Sequence, residues 1–494
     1  MNILVIDTGT SSMRGILYSP AADILCSHQV TYQVQYPKES YAEQDPQDWK
    51  SALFSIVKII ASYAKEHDLS IDAITTTCQR SSVIPVDISG NPLSSAIMWL
   101  DKRTQFICRD RESCNPLVFS KTGSRINTVF AAPKMTWIRE NQPDIYQQTY
   151  KFLTIADYLT FLMTGHFITD HTYGSRSLLM NLYSRKYDAE LLDLFHVEES
   201  KLCPLTEPGS ILGSVTSEFS RITGIQEGIP VISGGGDQQC AALGHGVITP
   251  GSMEITSGTG AYILAYTDAV PSSIQNNVVC QAHAIKGKYV LESSILACAS
   301  SYNWALDIFY SPQREEKISY KQINHDVSLS PPGSKGCIAL PYFQGRGTPD
   351  WNSSASGAFI NLSFQHKKGD MIRSILESTA FELQNNIEIL EKYTGSIRQI
   401  SIGGGLTNFS IFNQIQADVF QKRLLHFSTN EQTSLGAFIN AAVALGEYSS
   451  YENALAAVRS HLSSTEYIPN TENKSLYERQ RIQLNSIYKK LCIL

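Results

Sequence analysis

The sequence predicts an α/β protein made of two related domains that face each other. Three observations carry this. Short β-prone runs alternate with helix-period segments, the pattern of mixed α/β folds. A strand, a Gly-Thr turn and a second strand occupy residues 3–18, and the same order returns at residues 253–264, half a chain length later. Each half also carries a glycine loop directly after a strand, Gly234-Gly235-Gly236-Asp237 in one and Gly403-Gly404-Gly405 in the other. An echo at half the chain signals duplication, whereas periods of about 20–50 residues would signal a solenoid. Two unrelated hairpins are the alternative. The expected division is 1–247 and 248–494, in the turn-rich stretch 245–251.

Taken in order, residues 3–6 read as a strand, residues 7–10 as a turn and residues 15–18 as the returning strand. A helix starts after Asp45, which caps it; Pro46 suits the first helical position and Asp48 the positive helix end. Trp49, Leu53, Ile56, Val57 and Ile60 fall on one face of it. Residues 71–77 and 82–86 read as strands, with a turn at 89–92. Residues 229–233 form a strand that feeds the first glycine loop and a helix at 238–243. A long helix is expected over 370–393, with Gly395 closing it. Residues 400–402 are a strand feeding the second glycine loop, and a helix follows through 413–420.

Composition sets the outer limits. The 494 residues are 43% hydrophobic and 17% charged, with 40 Lys and Arg against 46 Asp and Glu, a net charge of −6. That is the balance of a globular protein without long disorder, and it supplies no global field for nucleic acid or an anionic membrane. The ten cysteines are scattered with no CxxC pair, so free thiols in a reducing compartment are expected. No apolar run reaches membrane-spanning length, and the first residues lack the basic and apolar regions of a signal peptide. A cytoplasmic protein without a membrane or nucleic-acid partner is expected.

Four motifs bear on chemistry, and each also has a plain structural reading. Gly-Thr turns offer backbone N–H and hydroxyl donors to a phosphate, with Ser11 and Arg14 beside the first turn, or they are simple hairpins. Asp7, at a strand end, is either a turn-forming carboxylate or a magnesium ligand, directly or through water. Asp237, opening a helix at the edge of a sheet, is either an N-cap or a general base for a hydroxyl. Gly403-Gly404-Gly405 lets either a nucleotide or a packed helix approach the backbone. No Walker, HExxH or GxSxG motif occurs, which disfavours P-loop NTPases, zincins and serine hydrolases.

In order along the chain, residues 7–14 (DTGTSSMR), 96–104 (AIMWLDKRT), 236–239 (GDQQ), 257–260 (SGTG), 341–349 (PYFQGRGTP), 403–405 (GGG) and 435–437 (LGA) resemble the FGGY carbohydrate kinases. The resemblance implies two actin-like, ribonuclease-H-like domains flanking a cleft, and ATP- and Mg²⁺-dependent phosphorylation of a sugar or polyol. By the same resemblance Asp237 is the catalytic base and Asp7 positions Mg²⁺. Thr10, Ser11, Arg14, Gly258, Thr259, Gly404, Gly405 and Asn408 contact ATP, and Gln79, Arg80, Trp99, Asp237 and Gln238 form the substrate wall. Glycerol kinases carry Arg-Glu where this chain has Arg80-Ser81, and Tyr at Val129. Xylulokinases carry a His in the strip that here reads Gln79-Arg80-Ser81-Ser82, but match better around residues 130–134 and 341–362. A ketopentose such as xylulose is the expected substrate; glycerol, gluconate, an autoinducer-2 precursor, an ATPase or phosphatase of the same fold and a non-catalytic sensor are the alternatives. Arg80 either meets a carboxylate, carbonyl or phosphate of the substrate or makes a structural ion pair. Family members are often dimers or tetramers, so a homodimer is one arrangement the resemblance allows.

Overall fold

The computed structural model describes residues 1–272, 274, 278–310, 320–429 and 431–491. Two mixed sheets organise them. The first has strands β1 (Ile3–Thr8), β2 (Ser12–Tyr18), β3 (Ile24–Thr31), β4 (Ala73–Cys78), β5 (Ile211–Ser214) and β6 (Pro230–Gly236), in the spatial order β3-β2-β1-β4-β6-β5. The second has β7 (Ser252–Ser257), β8 (Ala261–Thr267), β9 (Val279–Ala282), β10 (Tyr289–Ile295), β11 (Gln399–Gly403), β12 (Leu424–Phe427) and β13 (Ser464–Tyr467), in the order β9-β10-β8-β7-β11-β12-β13.

The sequence echo is this topology stated twice. In both sheets the first strand pairs antiparallel with the second and parallel with the strand on its other side. Antiparallel hairpins need only a tight turn, whereas parallel neighbours need long crossovers. The two tight turns are Gly9-Thr10-Ser11 and Gly258-Thr259-Gly260, closed by Gly9 N to Ser12 O at 2.9 Å and Gly258 N to Gly260 O at 2.8 Å. The hairpin strand reaches further back than residues 15–18, to Ser12, because it is paired along its length with both β1 and β3.

Helix α1 (Pro46–Glu66) starts as its sequence dictates: Asp45 accepts from Gln47 N and Pro46 occupies the first turn. Its Trp49, Leu53, Ile56, Val57 and Ile60 are buried against the first sheet. Helix α2 (Asp237–Gly244) follows β6, with Gly236 rather than Asp237 at its N-cap position, while Asp237 Oδ1 accepts from Gln238 N at 2.8 Å in the first turn. Helix α3 (Lys368–Thr394) covers the second sheet through Ile372, Ile375, Leu376, Ala380, Leu383, Ile387 and Leu390, and ends at Gly395. Helix α4 (Ser410–Phe420) follows the second glycine loop.

Helix α5 (Gln432–Ala444) comes from the second half of the chain but packs on the first sheet. Its Leu435, Phe438, Ile439 and Ala442 share a core with Ile3, Val5, Ile16 and Ile232. Packing therefore crosses the 247/248 division expected from sequence. The nine cysteines among the described residues are free thiols; Cys492 lies outside them. No helix among the described residues is long and apolar enough to cross a membrane.

Phe438 is fully buried beside Tyr18, ring centroids 5.3 Å apart. Phe438→Ala should cost about 3–5 kcal/mol of stability, read by urea unfolding; a cost below 1 kcal/mol would mean that this helix is not part of the cooperative core.

Candidate active site

The ends of β4 and β6 build the site. Gly236 ends β6 where a Cβ would sit 2.7 Å from Arg80 Cδ and 2.8 Å from Gln239 Oε1, so a side chain here would displace the Arg80 stem from its present place. Ser81, next to Arg80, takes a left-handed φ of +72°, an uncommon conformation for a residue with a side chain. Tyr173 ties the two ends together: its hydroxyl donates to Gly235 O at 3.0 Å and accepts from Cys78 N at 3.0 Å. Gly236 N donates to Thr172 Oγ1 at 2.8 Å.

Asp237, at the first turn of α2, pairs with Arg80: Arg80 Nε lies 3.0 Å from Asp237 Oδ1. The same guanidinium reaches across to the second sheet. Its Nη1 lies 3.5 Å from Glu292 Oε2 on β10 and donates to Gln281 Oε1 on β9 at 2.9 Å and to Gln239 Oε1 at 3.3 Å. Gln239 Nε2 also donates to Gln281 Oε1, at 3.1 Å. Burial pushes the Asp237 carboxyl above its ordinary value, and the Arg80 charge pulls it back. Arg80 is thus committed to protein carboxylates, the structural alternative that the sequence left open.

These groups open onto a cavity of about 690 Å³. All five expected substrate residues, Gln79, Arg80, Trp99, Asp237 and Gln238, line it, together with Gly9 and Thr10 of the first turn. Trp99 Nε1 donates to Thr10 Oγ1 at 3.1 Å, and Gln79 Nε2 donates to Gly9 O at 3.2 Å. Trp99 is held from behind, where its N donates to Ser82 Oγ at 3.1 Å. Gln238 Oε1 is buried without a hydrogen-bond partner, an acceptor facing a space where a ligand hydroxyl fits.

The remaining nucleotide-side residues do not line this cavity. Thr259 and Ser11 are exposed at the two turn tips, and Gly405 and Asn408 are exposed beside β11. Gly404 (φ +90°) packs so tightly on Ser257 that a Cβ would meet its carbonyl oxygen at 2.5 Å. The second turn and the triple-glycine loop therefore form one ledge. Arg14 is ion-paired with Glu431 from the second half of the chain.

Asp7 ends β1 half-buried, and its carboxylate takes no hydrogen bond from the described residues. Burial, then the Asp237 and Glu431 carboxylates, push its pKa up to about 7, and Arg14 opposes them. Such surplus negative charge suits a cation that brings its own water. Among the described residues no three His, Cys, Asp or Glu side chains cluster to hold a metal. A single carboxylate with open space fits Mg²⁺, which keeps much of its hydration shell, better than a metal needing a full protein cage.

Sequence reasoning missed Arg176, Tyr262 and Glu292 in the cavity wall, and Gln239, Gln281 and Glu431 around it. Glu254 and Glu292 did leave a signal, a lone carboxylate inside an apolar strand. Arg176 left none, because only tertiary packing brings it to the site.

Two sheets with the same strand order and matched turns, and a half-buried carboxylate in a cavity lined from both, fit an actin-like phosphotransferase. The description "FGGY family of carbohydrate kinases, N-terminal domain" matches residues 2–244, and the C-terminal domain of that family matches residues 253–445. The chain is 28% identical to a xylulose kinase of Lactococcus lactis, covering 99% of this chain and 96% of that protein. It is 30% identical to a glycerol kinase of Thermococcus onnurineus, covering 91% and 90%. A xylulose kinase structure from Lactobacillus acidophilus superposes with TM-score 0.91 at 23% identity, over 99% of this chain and 98% of that one. The chain belongs to the FGGY family of carbohydrate kinases, and it is an ATP-dependent phosphotransferase acting on a small sugar or polyol.

Glu254, fully buried on β7, has Oε1 without a partner and Oε2 accepting from Thr256 Oγ1 at 2.8 Å. Burial pushes its carboxyl from 4.5 up to about 8. The folded protein keeps this proton while the unfolded chain loses it, so stability falls as pH rises from 4.5 to 8. Glu254→Gln should raise Tm by a few degrees at pH 8 and by nothing near pH 4.5, in thermal unfolding across that range. A gain independent of pH would contradict this.

Proposed function

We propose that Asp237 is the general base of phosphoryl transfer from ATP to an acceptor hydroxyl in the 690 Å³ cavity. The observation that carries this is the carboxylate itself: Oδ1 is held by Arg80 Nε at 3.0 Å and by Gln238 N at 2.8 Å, and the residue lines the cavity. The acceptor oxygen forms its bond to the γ-phosphorus, the bond to the ADP oxygen breaks, and the hydroxyl proton passes to Asp237. Such transfer asks the protein mainly for position and charge. Gln79, Trp99 and Gln238 orient the acceptor. Thr10 and Ser11 meet the phosphates from one sheet, Gly258 and Thr259 from the other, and Gly404, Gly405 and Asn408 flank the nucleoside. Arg14 turns to the phosphates in exchange for Glu431. Asp7 would hold Mg²⁺ through water, and the ion would neutralise charge on the transferred group. With the turns on different sheets, closure of the cleft assembles the site and excludes water.

The relatives include both xylulose and glycerol kinases, so a ketopentose is not singled out by them. Against glycerol stand Ser81 and Val129, which replace the Glu and Tyr of glycerol kinases. A site missing such hydrogen-bond partners rejects the old substrate strongly. A cytoplasmic location suits an ATP-dependent enzyme, and a division near residue 247 leaves Gln79, Trp99 and Asp237 in the first half and the triple-glycine loop in the second.

Asp237→Asn should lower kcat by about 10²–10⁴-fold while ATP binding, measured by calorimetry, is retained; near-normal turnover would remove Asp237 as base. In the wild type, ADP release should require an added acceptor. Acceptor-independent release would favour an ATPase, and ATP binding without turnover would favour a sensor.

A further inference from the structure

Four arginines line the cavity, Arg80, Arg109, Arg125 and Arg176, against three carboxylates, Glu112, Asp237 and Glu292. Arg80 takes both Asp237 and Glu292. Arg109, Arg125 and Arg176 enter no ion pair among the described residues. Four guanidinium groups against three carboxylates leave the lining with a net charge of +1, in a protein whose overall charge is −6.

Arg176 is the most telling of the three. It is 8% exposed, and its Nε is buried with no hydrogen-bond partner. The guanidinium lies over the Phe130 ring, 4.6 Å from its centroid, and its backbone is fixed by Arg176 N donating to Tyr173 O at 3.0 Å. An unpaired charge in such a place is costly unless an anion completes it. Burial, then the Arg80 charge, pull its pKa down to about 10 against the nearby Glu292 and Asp237 carboxylates, which make no ion pair with it, so it still carries its proton at neutral pH. Arg109 and Arg125 are exposed members of the same lining. Val129 lines the cavity as well, whose volume of about 690 Å³ leaves room for an acceptor longer than a triose.

We propose that the acceptor is a polyhydroxy compound with one anionic end, a carboxylate or a phosphate ester, which Arg176 binds with Arg109 and Arg125 while another hydroxyl faces Asp237. This rests on the kinase reading above and names its substrate class. Arg80, for which the sequence left open either such a contact or a structural ion pair, is paired with Asp237 and Glu292 instead.

The test uses the full-length enzyme with Mg-ATP and matched acceptors: pentitols and hexitols, the corresponding aldonates, and their monophosphates. Acceptor-dependent ADP release should show kcat/KM at least tenfold higher for an anionic member than for its neutral partner, with the preference shrinking as NaCl rises. A carboxylate preference and a phosphate preference assign the two sources of charge. Arg176→Met should lower the anionic-to-neutral ratio at least tenfold, Arg176→Lys should restore part of it, and Arg125→Gln should lower it less. Equal use of neutral and anionic acceptors overturns the inference but keeps the kinase. So does an Arg176→Met effect that falls on the KM for ATP, which would put the guanidinium on the nucleotide side. Calorimetric binding of the same pairs decides the anion site without turnover: Arg176-dependent preference for the aldonate or monophosphate upholds it, and equal binding overturns it. ADP release with no acceptor at all overturns the kinase reading alone.

Discussion

The contact between Arg80 and Asp237 organises this protein. One guanidinium at the end of β4 orients the carboxylate at the start of α2 and reaches Glu292 and Gln281 on the second sheet. It joins Asp237, the proposed base, to the cavity wall and the opposite sheet in one network. Burial alone would leave the Asp237 carboxyl protonated over more of the pH range, and a protonated acid accepts no proton. The Arg80 charge opposes that shift while the low-dielectric surroundings keep the pair strong.

Much of the local structure serves that contact. Gly236 removes the one Cβ that would collide with Arg80, and the left-handed Ser81 turns the chain directly after it. Tyr173 and Thr172 fasten the strand ends with backbone hydrogen bonds. Departures from relaxed backbone geometry gather at sites where position matters more than propensity. On the far side, α5 brings the second half of the chain onto the first sheet, so motion of one sheet relative to the other passes through a packed core rather than a free linker.

The fold was largely legible in the sequence because its elements obey local rules. The Asp45-Pro46 start of α1, the Gly395 stop of α3 and both Gly-Thr hairpins depend on residues a few positions apart. The duplicated strand order followed from one repeated pattern. The site was legible where a motif is contiguous, as in the segments that carry Asp237-Gln238, Trp99 and Gln79, and these four residues line one cavity. Charge pairing was not. Whether Arg80 would meet a ligand or a carboxylate depends on Asp237 and Glu292, distant in sequence, and Arg176 enters the wall from a segment with no pattern of its own. The crossing of α5 onto the first sheet was hidden for the same reason, since an apolar helix face does not declare which sheet it covers.

The most direct measurement is the pH dependence of kcat/KM for the acceptor in the wild type and in Arg80→Gln, with folding checked by circular dichroism. If Arg80 holds Asp237 ionised, the acidic limb of the profile moves to higher pH in the variant, because the carboxylate loses the charge that favours its ionised form. A limb that stays in place while activity falls would mean that Arg80 serves the acceptor or the fold and does not set the state of the base.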